Sequence, residues 1–130
     1  MALTATLTLS SAELEHPALW DLHVALHNDC TATVRLSTAT MLGSVCFEVQ
    51  DCEGAAVPLG PPPVPPSDLS AGMVTIGPGS SQPLLFHGDE LFADAPPPGR
   101  YRLRFAGNAP AVDDAWSGSI ESPWVEFEVR

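Results

Sequence analysis

The sequence predicts an all-β protein: an antiparallel sandwich of about seven to nine short strands, formed as one domain over residues 1–130. Three observations carry this. Two late segments alternate strictly, Tyr101, Leu103 and Phe105 with Arg100, Arg102 and Arg104, then Val125, Phe127 and Val129 with Glu126 and Glu128. Period two marks a strand with one buried and one solvated face. The 14 prolines and 10 glycines are too many for helices, where an interior proline costs about 3 kcal/mol, and they cluster as turns do. Along the rest of the chain, apolar alternation restarts roughly every 8–12 residues with turn residues between.

Residues 2–9 alternate Leu3, Ala5, Leu7 and Leu9 with Thr4, Thr6 and Thr8, a first strand with a threonine-lined outer face. Residues 10–20 are irregular; 11–15 could open a helical turn, Pro17 stops it, and the segment reads as a crossing connection. Residues 20–27 resume the alternation, with Leu22, Val24 and Leu26 inward and His23 and His27 outward, and Asn28-Asp29 is a turn signal. Val34 and Leu36 mark a strand over 33–38. After Gly43, an inward row of Val45, Phe47 and Val49 leads to a turn over 51–54 and a short return strand over 55–59.

Residues 60–66, GPPPVPP, lack the N–H groups of a ladder and should run as polyproline II on the surface. Short strands over 73–76 and 83–86 flank the Gly77-Pro78-Gly79 turn, and 87–98 is a loop. The arginine strand follows, then a long connection over 107–122, then the last strand over 124–130. Paired antiparallel, the two late strands would set an arginine row beside a glutamate row above an apolar layer. Long loops such as 107–122 are where function often sits.

Charge narrows the partners. Five basic residues, all arginine, against 16 acidic ones give −11, which argues against nucleic acid and against an anionic membrane. The first sixteen or so residues have no basic start and no apolar run, so no signal peptide is read, and no stretch nears the ~20 apolar residues of a span. Three cysteines, Cys30, Cys46 and Cys52, are a poor disulfide framework. A cytoplasmic protein is expected.

Chemistry-bearing patterns are sparse. His23 and His27 share a face but stand ~13 Å apart at ~3.3 Å per residue, too far to chelate one ion. His16 and His87 fall in expected loops, and no tight Cys or His ligand spacing occurs, so no metal is expected. Asp51 with Glu53, Asp89 with Glu90 and Asp94, and Asp113 with Asp114 read as solvated loops without a calcium-loop motif, although two of them meeting at one end of the sandwich could hold calcium. There is no nucleophile elbow and no phosphate loop, so neither catalysis nor a cofactor is expected. The arginine row has two readings. Its members pair laterally with Glu126, Glu128 and Glu48, each pair contributing ~0.2–1 kcal/mol. Alternatively, Arg100, Arg102, Arg104, Trp116 and Trp124 form a recognition face of the arginine-and-aromatic kind.

The order of signals LHVALHNDC, FEVQDCEG, VTIGPGSS and PGRYRL resembles bacterial immunoglobulin-like domains over nearly the whole chain. Among these are the intracellular proteinase inhibitor (BsuPI-like) family and the sandwich domain preceding deuterolysin-type metalloendopeptidases. Tyr101, just after a Pro-Gly turn, is similar to the tyrosine corner of such sandwiches, its hydroxyl bonding back to nearby backbone. The resemblance implies an immunoglobulin/fibronectin-III-like antiparallel β-sandwich and carries over no reactive residue. The expected function is a non-catalytic protein-binding module, monomeric or weakly homo-oligomeric. The alternative it implies is an intracellular proteinase inhibitor acting on a proteinase through the 60–66 or the 107–122 loop.

Overall fold

A computed structural model describes residues 3–130. The chain is mostly β, 46% strand and 11% helix, with the helix confined to short 3-10 turns. Ten strands run in order: β1 Leu3–Leu9, β2 Glu13–Leu14, β3 Asp21–Asn28, β4 Val34–Ser37, β5 Phe47–Asp51, β6 Met73–Ile76, β7 Ser81–His87, β8 Gly99–Ala109, β9 Gly118–Glu121 and β10 Val125–Val129. One sheet has the order β1-β3-β7, and another β2-β10-β8-β5 with β9 also on β8. A two-stranded β4-β6 sheet completes the set. Among these ten described strands every pairing is antiparallel except β2 with β10, and an isolated bridge from Leu36 to Trp116 is also parallel.

β8 is the spine because its alternation is the cleanest in the chain. It pairs β10 with Arg102 opposite Glu126 and Arg100 opposite Glu128, and it pairs β5 with Arg104 opposite Glu48. Leu103 and Phe105 are fully buried, as Phe127 and Val129 nearly are, while every arginine of the row faces outward. The apolar faces of the two larger sheets meet through rings. Phe86 of β7 lies 5.0 Å from Phe47 of β5, edge to face, and 6.4 Å from Phe105 of β8. Trp20 sits 5.0 Å from Phe127, and Tyr101 stacks on Phe127 at 5.5 Å. The Tyr101 hydroxyl donates to Pro97 O at 2.5 Å, the back-bond expected of it.

The structure corrects several expectations. The first strand is described from Leu3; residue 2 lies outside the described residues. Pro17 does not stop a helical turn but opens one, Pro17–Leu19, since a fixed φ and a missing N–H suit a first turn. Before it, β2 adds an edge to β10. Val45 is 55% exposed, because the turn Gly43–Cys46, entered at Gly43 with φ +39°, shifts the phase and turns Cys46 inward instead. The strand over 55–59 shrinks to one bridge, Ala56 to Gln50, as Pro58 has no N–H with which to continue.

The largest change concerns the 107–122 connection. β8 runs on to Ala109 and β9 folds back on it, so only residues 110–117 and Ser122 of that connection remain outside strands. Gly107 permits this: a Cβ there would fall 2.3 Å from Cζ of Phe105, whose ring folds over the glycine. Asn28 is likewise more than a turn residue. It is buried at the end of β3, its amide donates to Ala32 O and Ile76 O, both at 2.9 Å, and its carbonyl accepts from Cys30 N.

Candidate functional site

The outward side of β5-β8-β10 carries the site. Alternation places Glu48 and Gln50 of β5, Arg100, Arg102 and Arg104 of β8, and Glu126 and Glu128 of β10 on this one surface. The three arginines are not equivalent. Arg104 is clamped: Nε and Nη2 reach Glu48 Oε2 at 2.8 and 2.7 Å, and Nη1 reaches Glu121 Oε2 at 3.3 Å. Its side chain is only 26% exposed. Arg102 donates through Nε and Nη2 to Gln50 Oε1 at 2.9 and 2.5 Å. The guanidinium carbons of both lie over the Trp124 ring, 4.4 and 4.6 Å from its centroid. Arg100 has no hydrogen bond or ion pair from its guanidinium among the described residues.

Of the lateral pairs expected, Arg104 with Glu48 forms, while the places expected for Glu126 and Glu128 are taken by Gln50 of β5 and Glu121 of β9. The unused charges line a groove of about 620 Å³. Its walls include Arg100 and Arg102, Glu126 and Glu128, and the turn after β5 with Asp51 and Glu53. That turn is rigid: Asp51 Oδ1 accepts from Glu53 N and Ala55 N, both at 2.9 Å.

Trp116 does not join this surface. It sits half-buried beside β4, where its backbone N–H donates to Arg35 O at 2.8 Å and Gly118 lies under its ring. A separate hollow of about 300 Å³ runs between Arg35, Asp114 and Trp116, with Arg35 and Asp114 paired at 3.5 Å. The small, polar β9 hid this placement from sequence reasoning, as it did the Glu121 contact. Gln50 was readable from its outward phase next to Glu48.

Three of the four histidines, His23, His27 and His87, lie on the outer face of β1-β3-β7, His87 ending β7 where a loop was expected, and His16 precedes the turn Pro17–Leu19. His27 bonds Thr6 Oγ1 at 3.2 Å and Ser81 Oγ, and His23 stands apart from it as its spacing requires. His87 Nδ1 meets Asp21 Oδ1 at 2.7 Å, and that bond, reinforced by the nearby carboxylates of Glu90 and Asp89, raises its pKa. Burial pushes the Cys46 thiol up to about 12, whereas Cys52 is exposed on the groove wall. Among the described residues no three His, Cys, Asp or Glu side chains converge on a point that would hold a metal ion. No helix among them is long and apolar enough to cross a membrane.

The chain matches no described protein family and no curated relative. Similar solved structures include the Pseudomonas fluorescens alkylpurine DNA glycosylase AlkC bound to DNA containing an abasic site analog, at 14% identity and a TM-score of 0.48. Another is a β-glucosidase from Listeria innocua in complex with isofagomine, at 15% identity and a TM-score of 0.40. Each match covers 98% of this chain, which spans 30% of the glycosylase chain and 16% of the glucosidase chain. Neither likeness bears on what this chain does.

Proposed function

We propose that this chain is a non-catalytic, immunoglobulin-like protein-binding module whose contact face is the outer side of β5-β8-β10. The observation that carries the reading is Arg100: an arginine with no ion pair among the described residues, lining a groove that also holds Arg102 and the carboxylates of Asp51, Glu53, Glu126 and Glu128. Arginine beside an aromatic ring is the composition of interface hot spots. Arg102 and Trp124 supply that pair with their orientation already held by Gln50 and Arg104. The partner is a protein that presents both a carboxylate for Arg100 and basic groups for Glu126 and Glu128. The odd cysteine count favours a reducing, intracellular setting for it.

Affinity capture from the native host tests this, comparing the wild type with Arg100→Glu/Arg102→Glu and with Arg35→Glu as a remote control. A partner lost only from the double variant is expected. Capture that survives the double variant removes this face.

The inhibitor reading keeps one of its two loops. Residues 107–109 and 118–121 are held as paired strand, which shortens that loop to 110–117, whereas the 60–66 segment stands out from the fold with Val64 90% exposed. Stoichiometric inhibition of one member of a serine-proteinase panel, abolished by deleting residues 61–66, is the outcome that reading needs.

A further inference from the structure

Residues 61–68 are exposed without a break, the longest such run among the described residues. Both ends of the run are tied to the body of the protein. Upstream, Val57 N donates to Val49 O of β5 at 2.9 Å and Gly60 N to Leu91 O at 2.7 Å, while Val57 and Leu59 pack on the core. Downstream, Asp68 accepts from Ser70 N and Oγ, and Ser37 Oγ of β4 donates to Leu69 O at 2.7 Å. Between these anchors, residues 61–67 make no hydrogen bond with any described residue.

Five of the six residues 61–66 are proline, with Val64 between them. Each proline holds φ near −65°, and Gly60, Pro61, Pro62, Val64 and Pro65 are further restricted by the proline that follows them. The chemistry leaves polyproline II as the conformation, which at about 3.1 Å per residue makes a strap of roughly 19 Å. A stiff connection explains the prolines, but it does not explain why Val64 is held 90% exposed at the centre.

What the strap offers a partner is specific. It presents pyrrolidine faces, unbonded carbonyl acceptors and one valine, and a single N–H, that of Val64, within 61–66. Strand addition to a sheet edge or lodging as an extended strand needs donors from alternate residues, which prolines lack. Aromatic-lined grooves need none: their rings stack on prolines and their indole or phenol groups donate to the carbonyls. Pinning both ends also removes most of the ordering entropy that a free proline-rich peptide loses on binding.

We propose that residues 61–66 are a built-in polyproline II ligand for a partner protein whose groove is lined by parallel aromatic rings and rimmed by basic residues. The basic rim follows from the net charge of −11 and from Asp68 at the end of the strap. This proposal is independent of the sheet-face reading and competes with the inhibitor reading for the same residues.

The test uses the full chain, 15N-labelled, titrated separately with an isolated SH3, a WW and an EVH1 domain. The Val64 amide is the reporter. At least one probe is expected to shift the Val64 resonance saturably. Pro62→Ala/Pro65→Ala should then weaken that binding tenfold or more with the melting temperature unchanged, while Arg100→Glu/Arg102→Glu leaves it intact. A Val64 resonance unmoved by all three probes, or proline variants that bind as the wild type does, would overturn the proposal.

Discussion

Arg104 and Arg100 show how one strand face divides its labour. Arg104 has two carboxylates and an indole ring around it, so truncation leaves Glu48 and Glu121 facing each other unpaired. Arg104→Ala should cost about 1–2 kcal/mol in a urea melt, and Arg100→Ala, which breaks nothing, less than about 0.5 kcal/mol. Equal losses would contradict the division. The cysteines separate in the same way. Exposed Cys52 should react rapidly with a disulfide reagent near pH 8, and buried Cys46, its thiol held near 12, only on unfolding. Cys52→Ser is then expected to remove a fast phase that Cys46→Ser leaves untouched. His87 gives a pH dependence. Because Asp21 raises its pKa in the folded state, its contribution is complete below the unfolded value and is lost as pH rises through the folded one. The melting temperature of Asp21→Asn should therefore fall furthest below the wild type near about pH 5.5, and the gap should narrow by about pH 8.5. A gap that widens with pH would refute the pairing.

Strands whose apolar residues alternate without interruption, β1, β3 and β10, were legible in the sequence nearly to the residue, and β8 as far as Phe105 though not on to Ala109. Their period is visible because one face packs and the other does not. β9 was not, since Gly118, Ser119 and Glu121 carry no strand preference and only Ile120 is buried. Pairing to β8 creates that strand; local propensity does not. β2 is similar, two residues whose conformation comes from β10. The 3-10 turn at Gly43–Cys46 puts Cys46 in place of Val45 in the inward row while Phe47 and Val49 keep theirs, which no window of alternation can anticipate. Asn28 joins elements as well as ending one. Asn28→Ala leaves Ile76 O and Ala32 O without their donor and should cost about 2–3 kcal/mol by chemical denaturation. A loss below about 0.5 kcal/mol would mean that water replaces the amide.

For the whole molecule, cohesion depends on rings that cross between sheets. Phe86 is the pivot, touching Phe47 and Phe105 from the opposite layer. Phe86→Ala should cost about 3–5 kcal/mol and expose apolar surface to a hydrophobic dye. A loss under about 1 kcal/mol would show that the layers do not depend on it. By itself the sequence determined the all-β class, the buried faces of the long strands and the Tyr101 back-bond. All of these follow from a residue's own backbone preferences or from a period within one segment. Only the tertiary structure decided which carboxylates clamp Arg104, which arginine is left unpaired, and that Trp116 stands apart from Trp124. Those outcomes depend on which strands lie side by side, and register between distant segments is set by collective packing that no single segment records.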